Sequence, residues 1–437
     1  MPSGHQVITG YLRRLLSRFD VETMRQRLRP QFSPAPPKIP GAASVSDRAL
    51  EGRWSLPGMT AAAKAALLTD DTEASREQYL RNIEHFIGTV KVPVGLAGPL
   101  RVNGLFAHGD YYVPLATTEA ALVASYSRGA ALLTAAGGCT ALLLNEGVTR
   151  APGFAFRTLE EAGLFGAWAS QQVDAFREVV SAHTRHGALE TLRVTLEGNH
   201  VYLQFDFLTG DASGQNMVTI ATQAICDFIA ESSPIRPDHF FVESNFSGDK
   251  KASAMSFLSV RGKKVTAEAL IPPALLERTL HTTARAMVDY WRMAAVGGVM
   301  SGTMGIHGHY ANGLAALYLA CGQDVACVAE SAVGVTRFEE REEGALYACV
   351  TLPNLIVGTV GGGTGLASQR ACLEILGLAG AGNAQALAEV AAALCLGGEL
   401  SIIGALAANQ FSRAHQKRAR GSGARSSNAA TEPETLP

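Results

Sequence analysis

Charged side chains are scarce in this chain, and their scarcity excludes several kinds of protein. Asp, Glu, Lys and Arg make up 17 % of the 437 residues and leave a formal charge of −2. No broad basic field is available for nucleic acid, so any polyanionic ligand must be met by local groups. The seven cysteines, at 139, 226, 321, 327, 349, 372 and 395, stand singly in apolar segments, and none forms a CxxC pair. That spacing indicates neither a disulfide framework nor a zinc site, and a reducing cytoplasm is the expected setting. No GxGxxG fingerprint occurs. The run Gly358-Thr-Val-Gly-Gly-Gly-Thr364 has the glycine spacing of a P-loop, but Thr364 stands where the lysine belongs. Its glycines allow either close approach of backbone to a flat ligand or a tight turn in the core.

Residues 293–323 and 344–369 contain no Asp, Glu, Lys or Arg, a length that could span a membrane. Their Gly, Ser, Thr, Asn and His content, with Pro353 in the second, points instead to buried core around a site. A chain of this length with 47 % hydrophobic residues fills two or three cores. Residues 1–75 are expected to form a helical arm and a Pro-rich linker. Arginines at 13, 14, 18, 25, 27 and 29 would suit a transit peptide, but Asp20, Glu22 and Glu51 oppose that reading. Residues 11–27 read as an amphipathic helix packed on another part of an assembly, with a membrane-surface role as the alternative. Residues 33–44 read as a Pro-rich linker and 417–437 as a Gly/Ser/Ala tail with nothing to pack.

Thr117 and Thr118 are predicted to start an Ala-rich helix that Gly137 and Gly138 end, which puts Glu119 in its first turn as a capping acid. Residues 192–207 alternate around Glu197-Gly198-Asn199 as a β-hairpin. Residues 211–231 read as a helix entered through a loop with free backbone N–H groups, as phosphate sites require. A second hairpin is predicted over 255–270, turning at Arg261-Gly262-Lys263-Lys264. Beyond it the pattern is mostly helical to 418, apart from a strand-like run at 347–357. Lys250 and Lys251 follow Asp249 in Ser-Asn-Phe-Ser-Gly-Asp-Lys-Lys, directly before the apolar Ala-Ser-Ala-Met-Ser-Phe-Leu. Lysine resists burial without a partner. The pair therefore marks either a site for anionic oxygen or a solvated turn.

Several blocks occur together in one order: residues 87–100 (IGTVKVPVGLAGPL), 117–125 (TTEAALVAS), 210–217 (GDASGQNM), Asp249-Lys-Lys251, His309-Tyr-Ala-Asn312, Ala320-Cys-Gly-Gln-Asp324, the 358–364 glycine run and Gly398-Glu-Leu-Ser401. In these the chain resembles the 3-hydroxy-3-methylglutaryl-coenzyme A reductases from about residue 80 to 416, in the form typical of eukaryotes and archaea. No membrane anchor is expected before the catalytic part. The resemblance implies an α+β fold in which a large, mainly helical substrate domain (76–151 and 242–416) carries an inserted, small, ferredoxin-like α/β cofactor domain (152–241), not a Rossmann fold. It also implies a homo-oligomer, dimer or tetramer, with active sites between subunits.

The family reaction reduces a thioester to an alcohol with two hydrides from NADPH, through a thiohemiacetal and an aldehyde, and uses no metal. By resemblance Lys250 stabilises the oxyanion, and His415 protonates the coenzyme A thiolate. Glu119 is the second acid, and Asp324 bonds to both Glu119 and Lys250. A carboxyl donates only if its pKa is raised, which burial of Glu119 would promote. Arg150, Asp249, Lys251, Arg292 and Asn312 match substrate positions, and Ser125 and Arg128 match the coenzyme A region. Arg292 stands where lysine is common, Ser127 where asparagine is usual, and Glu243 where a serine commonly meets the substrate carboxylate. A negative Glu243 beside a carboxylate should weaken binding. Asp211, Gly214, Gln215 and Asn216 match the cofactor loop, with Gly361 and Gly362 beside them, and Arg185 matches an arginine that meets the 2′-phosphate of NADPH. Three alternatives remain: a metallohydrolase using His307, His309, Asp324 and His415, a catalytically silent coenzyme A-binding relative, and a reductase of another acyl thioester.

Overall fold

A computed structural model describes residues 13–30 and 37–408. Tyr11, His415, the start of the 33–44 linker and the 417–437 tail lie outside the described residues. The chain divides into two compact units, residues 1–90 and 91–437.

In the first unit, the single helix expected over 11–27 is broken at Asp20. Its carboxylate accepts the Thr23 N–H at 2.8 Å and caps a new helix, α1 (Val21–Leu28). Aspartate favours capping over a helix interior because its short side chain competes for nearby backbone donors. No residue of α1 is buried. Helices α2 (Asp47–Trp54), α3 (Ala61–Leu67) and α4 (Asp70–Ala74) follow, around a small core of Val45, Leu50, Leu68 and Phe86. Arg53 of α2 is fully buried, and no acid among the described residues pairs with it. Its guanidinium donates to the carbonyls of Pro40 (3.1 Å), Ser44 (2.6 Å), Phe86 (2.6 Å) and Gly41. The described part of the 33–44 segment is therefore fastened rather than free, because a buried guanidinium needs those oxygens.

In the second unit, ten strands among the described residues form one sheet. They are β1 (Val94–Gly104), β2 (His108–Ala116), β3 (Cys139–Arg150), β4 (Gly153–Ala155), β5 (Ala188–Glu197), β6 (His200–Leu208), β7 (His239–Phe241), β8 (Gly262–Ile271), β9 (Val335–Glu340) and β10 (Leu346–Leu355). The main path runs β7-β4-β6-β3-β8-β10-β9, with β5 on β6 and β1–β2 attached through β3. Strand β3 serves two cores: residues 140–147 pair with β8, and Val148 to Arg150 pair with β6. Helices α5 (Leu122–Ala135), α9 (Pro273–Leu280), α10 (Ala284–Ser301), α11 (Tyr310–Ala320), α12 (Val328–Ser331), α13 (Ala367–Ile375) and α14 (Ala384–Ala407) accompany the larger core. Helices α6 (Leu159–Ser170), α7 (Val173–His183) and α8 (Gln215–Ser232) surround a second core of Phe154, Phe165, Phe176, Phe205, Phe207 and Ile225.

The β5–β6 hairpin forms as predicted, with Gly198 at φ 56° supplying the left-handed position of a two-residue turn. The expected second hairpin does not form. Residues 254–257 make a 3-10 turn, and β8 pairs instead with β3 and with distant β10. Strand β9 was hidden in a stretch read as helical, and the sheet makes the larger part a mixed α+β structure rather than a mainly helical one. Helix α14 is long and apolar enough to cross a membrane, yet 83 % of its apolar window is buried within the fold. It meets α5 where Gly129 faces Gly397, since a Cβ on Gly129 would overlap the opposing carbonyl. The uncharged segment 293–304 departs from expectation: Met293, Val296, Val299 and Met300 are exposed on α10.

Candidate active site

Lys250 sits in the loop after β7 with φ 55°, and Asn245 and Gly248 of the same loop also have positive φ. A non-glycine residue in this region costs backbone energy and points to function when its surroundings hold it there. Lys250 Nζ lies 2.8 Å from Asp324 Oδ2, while Asp324 Oδ1 accepts the Ala326 N–H at 3.0 Å. The hydrogen bond to Asp324 raises the Lys250 pKa against the opposing effect of burial. Burial opposes ionisation of Asp324, but the bonds from Lys250 and Ala326 together hold its carboxyl below the usual range.

Behind this pair lies a chain of alternating charges. Arg150 ends β3 almost buried and donates to Glu243 at 3.1 Å, Asp249 at 2.9 Å and the Gln215 side chain at 3.3 Å. Arg261, just before β8, bonds to Asp249 and Gln215 at 2.7 Å each and pairs with fully buried Glu330. Glu330 Oε1 accepts the backbone N–H of Lys250 at 3.2 Å. Glu243 also accepts the Asn245 N–H at 2.7 Å and the Ser247 hydroxyl at 2.9 Å. Lys251 is exposed, and its Nζ donates only to the Asp249 carbonyl at 3.0 Å among the contacts of the described residues. The Lys250 loop is thus a tied structure, not the solvated turn that its composition allowed.

Glu119 precedes its helix instead of lying in it. Ala121 takes φ 72° and α5 begins at Leu122, so the carboxylate is free of the capping role. It accepts the Asn312 side-chain N–H at 2.8 Å, from the first turn of α11. Glu119, Ser125, Arg128, His309 and Asn312 line a cavity of about 500 Å³. Ser125 bonds to Ser401 at 2.8 Å, and Arg128 donates to the Ser401 hydroxyl and carbonyl. Among the described residues no hydrogen bond or ion pair links Glu119 to Asp324 or Lys250, so Asp324 bonds to one of its two expected partners. Glu119 is exposed in the single chain, which does not supply the burial expected of a proton donor.

The cofactor-loop positions converge on the glycine run. The Asp211 carbonyl accepts the Thr359 N–H at 2.8 Å, and its carboxylate accepts the N–H groups of Gly382 (2.7 Å) and Ala384 (3.1 Å) at the start of α14. Gly358 passes so close to residues 211–213 that a Cβ would overlap their backbone. This close packing explains Gly358. At Gly361 and Gly362, both with positive φ, a Cβ would meet nothing within 4 Å. Gly214 caps α8 at φ 77°, Gln215 turns inward to Arg150 and Arg261, and Asn216 is exposed. Arg185 is exposed in the turn after α7, where neighbouring Gly187 packs against Met217.

Arg292 is not gathered into this site. It is 61 % exposed on α10 and 3.5 Å from Asp289. Two of the histidines proposed as metal ligands have other partners: His307 stacks on Tyr310 at 4.3 Å, and His309 Nδ1 lies 3.3 Å from Glu399. Among the described residues no group of three or more His, Cys, Asp or Glu is placed to hold a metal. Sequence reasoning missed Arg261, read as a hairpin turn, and Glu330. The available signal for Glu330 was an isolated acid between two uncharged stretches, which suggests a buried charge with a distant partner.

The family model described as hydroxymethylglutaryl-coenzyme A reductase matches residues 51–420. The reductase of Pyrococcus horikoshii is 44 % identical over 345 residues, 77 % of this chain and 83 % of that protein. That of Aeropyrum pernix is 42 % identical, over 86 % and 91 % respectively, and that of Haloferax volcanii 39 %, over 87 % and 99 %. A class II reductase from Streptococcus pneumoniae, solved with NADPH in open conformations, shares the fold with a TM-score of 0.61 at 21 % identity, over 78 % of this chain and 94 % of that one. The chain belongs to the hydroxymethylglutaryl-coenzyme A reductase family.

Proposed function

We propose that this protein reduces 3-hydroxy-3-methylglutaryl-coenzyme A to mevalonate, in the cytoplasm, as a step of isoprenoid synthesis. One thioester, two NADPH and two protons give mevalonate, free coenzyme A and two NADP⁺. The observation that carries this reading is the Lys250–Asp324 pair at 2.8 Å, held in a left-handed loop beside Arg150 and Asp249. When bound, NADPH supplies the two hydrides. Each hydride addition to a carbonyl leaves negative charge on its oxygen, which Lys250 stabilises as a fixed cation. Asp324 keeps that lysine charged and aimed. Breakdown of the thiohemiacetal releases a thiolate, whose proton comes from His415. Glu119, oriented by Asn312, is the acid of the aldehyde step; Arg150, Lys251 and Arg292 hold the acyl carboxylate, with Asp249 orienting Arg150.

Residues 152–241 form the cofactor domain on this reading. The strand order β7-β4-β6-β5 with α6, α7 and α8 supports a ferredoxin-like assignment, and exposed Arg185 beside the 210–217 loop suits a 2′-phosphate. Gly361 and Gly362 leave open room beside that loop. Residues 76–151 and 242–416 form the substrate domain, and 1–75 and 417–437 the terminal segments. The oligomer places a second copy over the exposed α10 surface, which would bury Glu119 and bring Arg292 to a neighbour's site. A second reading, reduction of another acyl thioester, is favoured by Glu243, which already occupies a donor of Arg150. Steady-state rates with 3-hydroxy-3-methylglutaryl-, acetoacetyl- and succinyl-coenzyme A, each with NADPH and NADH, test both. The first thioester with NADPH should have the highest kcat/KM; a higher value for another acyl group would overturn the assignment.

A further inference from the structure

Lys250 holds a conformation that its side-chain contact does not explain. Its φ is 55°, and its ion pair with Asp324 is substantially exposed, with side-chain exposures of 44 % and 40 %. Exposed pairs contribute little against backbone strain. The restraint comes from beneath the loop, where Glu330 of α12 is fully buried. One oxygen accepts the Lys250 backbone N–H at 3.2 Å, and the other pairs with the Arg261 guanidinium. Arg261 in turn donates to Asp249, the residue before Lys250, at 2.7 Å. Glu330 therefore restrains two successive residues, Lys250 directly at its backbone N–H and Asp249 at its side chain through Arg261. Burial raises its pKa while Arg261 opposes that shift, so the carboxylate depends on its partners.

We propose that Glu330 is a positioning residue for Lys250: its buried carboxylate fixes the left-handed backbone from which the ammonium reaches the reacting oxygen. The inference rests on the proposed reductase reading, in which Lys250 is the oxyanion-stabilising group. Two variants separate the backbone bond from the ion pair. Glu330→Gln keeps an acceptor at full reach for the Lys250 N–H but loses the charge facing Arg261. Glu330→Asp keeps the charge but is one methylene short.

The experiment measures kcat and KM in the full chain for both variants, alone and in a Lys250→Ala background. Glu330→Asp should lower kcat by roughly 10–100-fold, the scale expected for a catalytic group displaced by about 1 Å, with KM for NADPH little changed. Glu330→Gln should retain more activity than Glu330→Asp. In the Lys250→Ala background neither should lower kcat by more than about threefold, because residues acting as one unit are not additive. If Glu330→Asp is the more active variant, or if losses add fully in that background, the proposal is wrong. If Lys250→Ala itself leaves kcat intact, the reductase assignment fails instead. Hydrogen exchange in the unaltered protein provides a test that does not depend on either variant folding. The Lys250 amide should be protected at least about 100-fold over an open loop amide; exchange at an open-loop rate would overturn the backbone bond.

Discussion

Lys250→Ala should separate catalysis from stability more sharply than any other single change here. A preorganised cation facing a developing oxyanion is worth about 10²–10³ in kcat, or about 3–4 kcal/mol of barrier. Stability should hardly move, for two structural reasons. Lys250 and Asp324 have side chains 44 % and 40 % exposed, and an exposed pair contributes about 0–1 kcal/mol. Alanine also carries a Cβ, so the left-handed φ of 55° costs it much what it costs lysine. Tm should fall by a few degrees at most. NADPH oxidation followed with 3-hydroxy-3-methylglutaryl-coenzyme A and separately with mevaldehyde gives the decisive comparison, because both carbonyl reductions create an oxyanion. A loss under tenfold, or one confined to the thioester, would refute the role. A Tm drop above about ten degrees would show that the lysine is structural.

Arg185→Ala should raise KM for NADPH by about 10–100-fold, the range for a lost charge-assisted bond, and leave KM for NADH nearly unchanged; equal effects on both cofactors would contradict the 2′-phosphate contact. Glu243→Ser should tighten binding of 3-hydroxy-3-methylglutaryl-coenzyme A by freeing a donor of Arg150 and removing a like charge, and unchanged or weaker binding in calorimetry would dismiss Glu243 as a competitor. The lowered Asp324 pKa and raised Lys250 pKa set the sign of the pH response. The pair's contribution is lost as pH falls through the depressed Asp324 value, and as pH rises through the elevated Lys250 value. Asp324→Asn should therefore move the basic limb of the residual kcat profile to lower pH, and a limb that stayed or rose would count against the coupling.

Features whose causes are local were legible in the sequence. The Gly198-Asn199 turn, the entry to α8 through Gly214 and the charged loop at Asp249-Lys-Lys251 each follow from the conformational preferences of adjacent residues. Matching blocks in one order pointed to the family before any coordinate did. What remained hidden depends on partners far away in the chain. From its own neighbours Glu119 read as a capping acid, and only the family resemblance marked it as a reacting acid; the left-handed Ala121 and Asn312, from another helix, are what leave and orient its carboxylate. Arg261 read as a turn residue, although its partner Glu330 lies 69 positions away. Segment 293–304 read as core, yet α10 exposes it, because low charge reports that a surface is not made for water and not what covers it. Strand β8 carried a local hairpin signal at 261–264 that misled, because its actual pairings, with β3 and β10, are long-range. The sequence by itself determined turn chemistry, apolar patterning and the identity of the reactive groups, all properties of a residue and its neighbours. Only the tertiary structure decided which buried charges meet and which backbone strain is held, because those energies exist only once distant segments exclude water together.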